Sequence, residues 1–366
     1  MGQSFAFATV LVLASAHAAL GTTCTLRASG PVQATADNQV IELLDIDCQA
    51  TAVPCITVSS FRNVTIRNVR VTHGTAAPGM QVAHADGLRI VNASVQLGAS
   101  SSASSNSGGG GPVGPLPSSS AVGIDVHGTA ELVIERVRTA SGSSGIYAVQ
   151  CPGARLAWVE AHNARGPFPR GQCVQFDKCD GALLEDFSCV NGENVSFTED
   201  NISVFESDNV TVRRGLIDGN NSPSGDGVMV ESGGKPGLVS SGLVEDVDAV
   251  NQGNGCFGGW GVSNVVFSRC RVSKTHCVGW GGRGKPSSGA LVFAGGSEGT
   301  SPKVDSSGLR IEGSIYDQLC VKNLVWPAAA FASTDLAAQP FAPRTPFVNT
   351  FCWELGAVSR HSAKAK

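Results

Sequence analysis

Between Gly145 and Val250 the chain alternates apolar and polar residues in short bursts, and the bursts recur. Gly145–Ala148, Cys173–Phe176, Asn201–Val204 and Gly227–Val230 each alternate with period two, then pass through a small polar turn into a second apolar run. Those second runs are Arg155–Val159, Ala182–Phe187, Val210–Ile217 and Leu243–Val250, and the four starts are 28, 28 and 26 residues apart. Period two with Val and Ile enrichment, broken by Gly, Asn and Asp, predicts strands rather than helices. A repeat of this length built from strands predicts a solenoid, with each repeat one coil of a parallel β-helix.

The pattern extends in both directions. Val40–Cys48, Cys55–His73 and Gly79–Leu97 read as earlier coils, while Cys256–Ser273, Ala290–Phe293 and Leu309–Ile315 read as later strands. About ten or eleven coils are expected, all-β and right-handed, over a domain running from residue 19 to 326. Thr22–Asn38 is expected to cover the first coil, because a bare end exposes apolar core and unpaired backbone. Ala99–Ser120 is almost wholly Ser, Gly and Pro and predicts a flexible insertion. The period resumes at Gly123. Residues 327–366 are expected to form an irregular cap and tail, with Cys320 and Cys352 able to tie it down.

Composition narrows the partners. The formal charge of −4 and 15% charged residues point away from nucleic acid and anionic membrane surfaces. Phe5–Ala18 is an apolar run ending Ala16-His17-Ala18, the small-x-small rule of a secretory signal, although no Lys or Arg precedes it. It is too short to span a bilayer. Residues 1–18 are therefore expected to be removed and the mature protein secreted as a monomer without membrane insertion. All 12 Cys follow that segment, which fits an oxidising compartment. Cys151 and Cys179 share a position on consecutive coils, as do Cys256 and Cys277. Coils stack ~4.8 Å apart, within disulfide reach, so each pair is either bonded or a buried stack of thiols. No C-x-x-C occurs, and zinc is not expected. Six N-x-[ST] sequons lie at Asn63, Asn92, Asn194, Asn201, Asn209 and Asn220.

In a solenoid whose inward residues form the core, chemistry must sit on the outward ladders. Aligning coils on Ile146, Val174, Ile202 and Val228 places Ser144, Gln172, Asp200 and Asp226 in one column, with Glu199 beside it. At ~5 Å and an effective dielectric near 20, Asp200 and Asp226 repel by ~3 kcal/mol, about two pKa units, which keeps one protonated beside one ionised. Such a pair is the equipment of glycosidic cleavage, one group as acid and the other as base or nucleophile. Asp177 and Glu231 form a second column. Arg170 and Lys178 add positive charge that suits a uronate carboxylate, and Trp260 and Trp280 sit in Gly-rich loops where they could stack on sugars.

These residues resemble a family. The pattern over residues 40–325 is similar to the pectin lyase-like right-handed parallel β-helix superfamily. Within it Glu199–Val204 is similar to the D-D-C-[IV]-x-[IV] element of polygalacturonases. Ser224–Ser232, one coil later, resembles their G-G-H-G-[LI]-S-[IV]-G-S element, with Asp226 at the place of the His. Arg170-Gly171-Gln172 stands where that family has N-T-D, and no R-I-K follows at the matching place. The resemblance implies action on an acidic polysaccharide with no cofactor if the reaction is hydrolysis. Two alternatives stay open. A lyase or epimerase would use Arg170 or Lys178 as base, with Ca²⁺ held by Asp177, Asp200, Asp226 and Glu231. A surface or cell-wall protein would bind glycan without turning it over.

Overall fold

The computed structural model describes residues 23–98, 118–166, 170–192, 195–222, 225–233, 238–273, 292–295, 306–317 and 324–355. The expected signal segment, most of the Ala99–Ser120 insertion, Trp280, Cys277 and Cys320 lie outside them. Nearly all regular structure is strand, gathered into two parallel sheets of 13 and 11 strands in which each strand pairs with its counterpart one coil on. The chain is the parallel β-solenoid that the repeat predicts. Its right-handed sense is the one that parallel crossovers adopt.

The register follows the apolar column. Ile146 lies opposite Val174, Val174 opposite Ile202, and Ile202 opposite Val228. These side chains point inward and are buried, as are Ala148, Phe176, Val204 and Val230 two residues on. Met80 pairs directly with Ile124, so the insertion between them sits within a single coil step. Rungs such as Ile146–Val149 alternate one residue in and one out, so a one-residue slip would turn the whole core outward.

Strands of the longer sheet are creased in the middle. Asn68, Asn92, Arg136, Trp158, Asp186, Arg214 and Asp246 occupy one stacked position and all have φ between 50 and 53°. Left-handed backbone is costly for residues other than Gly and tolerated best by Asn. The column offsets this cost by side-chain pairing along its length. Asn92 Nδ2 donates to Asn68 Oδ1 at 3.4 Å, Arg136 stacks over the Trp158 ring at 5.0 Å, and Arg214 pairs with Asp186 at 2.8 Å. Beneath it, Phe187 fills the space over Gly215, where an added Cβ would come within 2.1 Å of the ring.

One reading of the C-terminal part is corrected. Residues 327–366 are not irregular throughout: Phe331–Ala338 is a strand that pairs in parallel with Leu309–Asp317 and extends the longer sheet. From there residues 339–349 run back over the outer face of that sheet. Arg344 N–H donates to Asp248 at 2.7 Å, Ser188 Oγ to the Phe347 carbonyl at 3.4 Å, and Asn349 N–H to Glu160 Oε2 at 2.8 Å. The strap buries both acids. Cys352 ties the tail down through a disulfide to Cys24, in a small unit distinct from that of the coils.

A second disulfide joins Cys173 to Cys189 inside the solenoid. Cys151 and Cys179 are a buried stack of thiols, the Cys151 N–H donating to Cys179 Sγ at 3.2 Å. His73 is buried, with Nδ1 within 3.0 Å of the Gly74 carbonyl. No helix among the described residues is long and apolar enough to cross a membrane.

Candidate functional site

Asp200–Phe205 and Asp226–Glu231 are six-residue strands, whereas the two preceding rungs, Ile146–Val149 and Val174–Asp177, have four. The two extra residues carry the acids. Asp200 is paired with Asp226 in the ladder, as the alignment of coils requires. Gly225 permits the approach, because a Cβ there would come within 2.4 Å of the Thr198 carbonyl and 2.5 Å of that of Glu199.

The pair is deeper than an outward position implies. Asp200 is 4% and Asp226 1% exposed. The Asp226 N–H donates to Asp200 Oδ1 at 3.1 Å and to the Glu199 carbonyl at 3.1 Å, and the Gly255 N–H donates to Asp226 Oδ1 at 2.6 Å. Burial raises the pKa of Asp200 well above the usual carboxylate range, and the charges of Asp226, Glu231 and Glu199 add to it. Burial, with Glu199 contributing, also pushes Glu231 up to about 7. Glu199 is raised by burial, opposed by the Arg170 guanidinium. Asp226, Glu231 and Glu199 each act on the Asp200 carboxyl, which ties the four acids into one cluster.

Gln172 and Arg170 frame the cluster. Gln172 is fully buried, with Nε2 donating to Glu199 Oε2 at 3.2 Å while Oε1 accepts from Ser144 Oγ at 3.1 Å. The Arg170 guanidinium lies 4.2 Å from the centroid of the Tyr147 ring. Glu199, Glu231 and Arg170 remain partly exposed and form the surface of the cluster. Trp260 is opposite Glu231 in the ladder and packs on Met229.

Other expected residues lie apart. Lys178 is bound to Asp177 at 2.9 Å and Glu206 at 3.2 Å. Its pKa is raised by the Asp177 hydrogen bond, with Glu206 assisting, so it is not poised as a base near neutrality. Asp177 sits two rungs before Glu231 in the ladder. The described residues contain no group of three or more His, Cys, Asp or Glu side chains arranged to hold a metal ion. Asp177, tied to Lys178, thus stands apart from Asp200 and Asp226, so the four acids named for Ca²⁺ are not gathered as one ligand set.

The column between the two acid columns went unread. Tyr147, Gln175, Ser203 and Met229 face outward one position after the apolar residues used for alignment. Gln175, Ser203 and Met229 are nonetheless buried. The signal for this column was the same period-two alignment moved by one residue. Asn201, a sequon residue, points inward. Its Nδ2 donates to the Gly219 carbonyl at 3.1 Å and Gln252 Oε1 at 2.7 Å, which leaves no room for a glycan in the folded chain. Asn220 is buried as well, whereas Asn63 and Asn209 are exposed.

No family model matches the chain, and a search of curated proteins finds no match. Among solved structures, the A-module of mannuronan C-5 epimerase AlgE6 from Azotobacter vinelandii superposes with a TM-score of 0.53 at 12% identity, over 87% of each chain. The A-module of mannuronan C-5 epimerase AlgE4 from the same organism gives 0.51 at 11% identity, over 88% of this chain and 91% of that one. At this identity the likeness is one of fold. The fold they share with this chain is a parallel β-helix.

Proposed function

We propose that the chain is a secreted, monomeric enzyme that processes polysaccharide, and that it hydrolyses glycosidic bonds of a uronate-containing chain at the carboxyl cluster. The observation that carries this reading is the in-register pair Asp200 and Asp226, both buried, with ionisation suppressed at Asp200 and Glu231. Two populations of carboxyl, one protonated and one ionised near neutrality, are what acid–base cleavage of an acetal needs.

In this mechanism a protonated carboxyl gives its proton to the leaving glycosidic oxygen as the C–O bond breaks. Glu231 is partly exposed and pushed up to about 7, so it is the exposed donor. Glu199, raised by burial against the opposing Arg170 guanidinium, takes a proton from the attacking water. Burial, with the charges of Asp226, Glu231 and Glu199 adding to it, holds Asp200 protonated. Arg170 is placed to meet the uronate carboxylate, and the half-exposed Trp260 to meet a sugar face.

The fold neighbours are named for epimerisation of mannuronan, so elimination or epimerisation of a uronate is the second reading. Incubation of the secreted protein with polygalacturonate and alginate separates them. New reducing ends without the ultraviolet absorbance of an unsaturated uronate support hydrolysis. That absorbance supports elimination, and a change in the ratio of uronate epimers without cleavage supports epimerisation. Binding with no product leaves a glycan-binding surface or cell-wall protein.

A further inference from the structure

On the longer sheet, arginines are matched to carboxylates one coil away. Arg67 pairs with Glu42 at 2.6 Å, Arg213 with Glu185 at 2.7 Å and Arg271 with Asp248 at 2.5 Å. Arg89 and Arg155 break the rule. Each heads its strand and is exposed, and neither makes a side-chain hydrogen bond or ion pair among the described residues. Both lie opposite Val133, one from the coil before and one from the coil after. They are thus two coil steps apart, ~9.6 Å along the solenoid.

Between them is a groove of about 280 Å³, lined by Arg89, Val133, Glu135, Arg155, Ala157 and Trp158 among others. Its acids are already matched: Glu135 by Arg136 at 3.4 Å, and Glu185 at its far end by Arg213 and Arg214. The two free guanidiniums therefore leave the groove positive. Trp158 is 36% exposed, large for an indole on a sheet face. Arg136 covers its ring from one side without entering the groove. The crease of the strand, with Trp158 at φ 51°, turns that indole toward the groove rim instead of the core.

The geometry points to a second glycan-binding site here, on the longer sheet and away from the carboxyl cluster, that holds an acidic polysaccharide lying along the solenoid. Val133 and Ala157 offer an apolar floor to sugar C–H faces, Trp158 a stacking wall, and Arg89 and Arg155 bind carboxylates through charge-assisted hydrogen bonds. A sugar residue in an extended chain advances by about one coil step, so carboxylates two residues apart match arginines two coils apart. The choice of a polyuronate rests on the polysaccharide reading above, but the site does not depend on the carboxyl cluster.

The test is affinity electrophoresis of the folded protein in gels containing polygalacturonate, alginate or neutral dextran. Retardation by at least one polyuronate and not by dextran is expected. R89A/R155A should weaken it about tenfold, the loss of charge-assisted contacts to two carboxylates, and W158A should weaken it too. All these residues are exposed, so circular dichroism should be unchanged. D200N and E231Q should keep the retardation even where they abolish turnover. Absence of retardation by any polyuronate would overturn the proposal. So would equal retardation of R89A/R155A and the parent, or a loss confined to D200N and E231Q, which would put binding at the carboxyl cluster. Retardation in dextran that W158A alone removes would also overturn it, as binding of neutral glycan.

Discussion

Asp226 donates its backbone N–H to the Asp200 carboxylate at 3.1 Å across a single coil step, while its own carboxylate receives the Gly255 N–H at 2.6 Å. The two acids are thus fixed by the backbone of neighbouring coils and held together despite their repulsion. Asp200→Asn keeps an oxygen for the Asp226 N–H and removes the need to bind a proton there on folding. At neutral pH it should raise stability by ~1 kcal/mol or more, because the buried Asp200 with its raised pKa takes up a proton as the chain folds, and abolish turnover. Calorimetry and the polyuronate assay run on one preparation check both. Unchanged activity in Asp200→Asn and Asp226→Asn would remove the pair from the mechanism.

Glu231 sets a pH dependence of opposite sign to that of ordinary acid denaturation. Its folded pKa is about 7 against 4.5 in the unfolded chain, so the folded state binds the extra proton. Stability from this group is complete below the unfolded value of 4.5 and falls as pH rises towards and through 7, by roughly 3 kcal/mol in the limit. Glu231→Gln should flatten that fall. Denaturant midpoints measured from pH 5 to 8 would show it, and parallel slopes in parent and variant would refute the assignment. Turnover should lose its acid over the same range.

Much of this was legible in the chain. The inward column Ile146, Val174, Ile202 and Val228 is exposed by period two, and its repeat length alone brings Asp200 beside Asp226. Burial of that pair was not legible, because strand pattern gives the direction of a side chain and not what lies over it. Met229 and Gln175 are buried for the same reason although they face outward. The crease is marked by Asn68, Asn92, Asp186 and Asp246, which tolerate left-handed backbone, but not at Arg136, Trp158 or Arg214, which do not. Phe331–Ala338 escaped notice because most of its residues are exposed and it lacks the alternation of a half-buried strand. The partner of Cys352 could not be inferred from coil spacing, since Cys24 and Cys352 are 328 residues apart and belong to no repeat.

Cys173 and Cys189 close a loop of 16 residues beside the buried Asn201. Replacing both by Ser should cost about 3 kcal/mol by the loop-entropy argument, more if the new hydroxyls find no partner. Urea unfolding with and without reductant measures it. The parent should weaken on reduction by as much as the variant is weakened, after allowance for Cys24–Cys352, and no effect on either would show that the bond contributes nothing.

The strap formed by residues 339–349 gives the last test. Glu160 is buried and accepts the Asn349 N–H at 2.8 Å, with Arg138 at 3.1 Å and His162 at 2.6 Å on its other oxygen. Burial raises its pKa, but the His162 hydrogen bond, the Asn349 N–H and the Arg138 charge outweigh this and leave it below the ordinary value. A depressed carboxylate stabilises above its unfolded pKa, and that stability is lost as pH falls through the folded value. The strap should therefore loosen in acid, below about pH 4.3. Glu160→Gln should loosen it already at neutral pH, by about 1–3 kcal/mol for a charged hydrogen-bond acceptor removed from a buried site. Amide exchange at residues 344–349 should accelerate in the variant and in acid, while the Ile146–Val149 rung stays protected. Acceleration of both together would mean that the strap and the coils unfold as one unit and that Glu160 does not hold the strap locally.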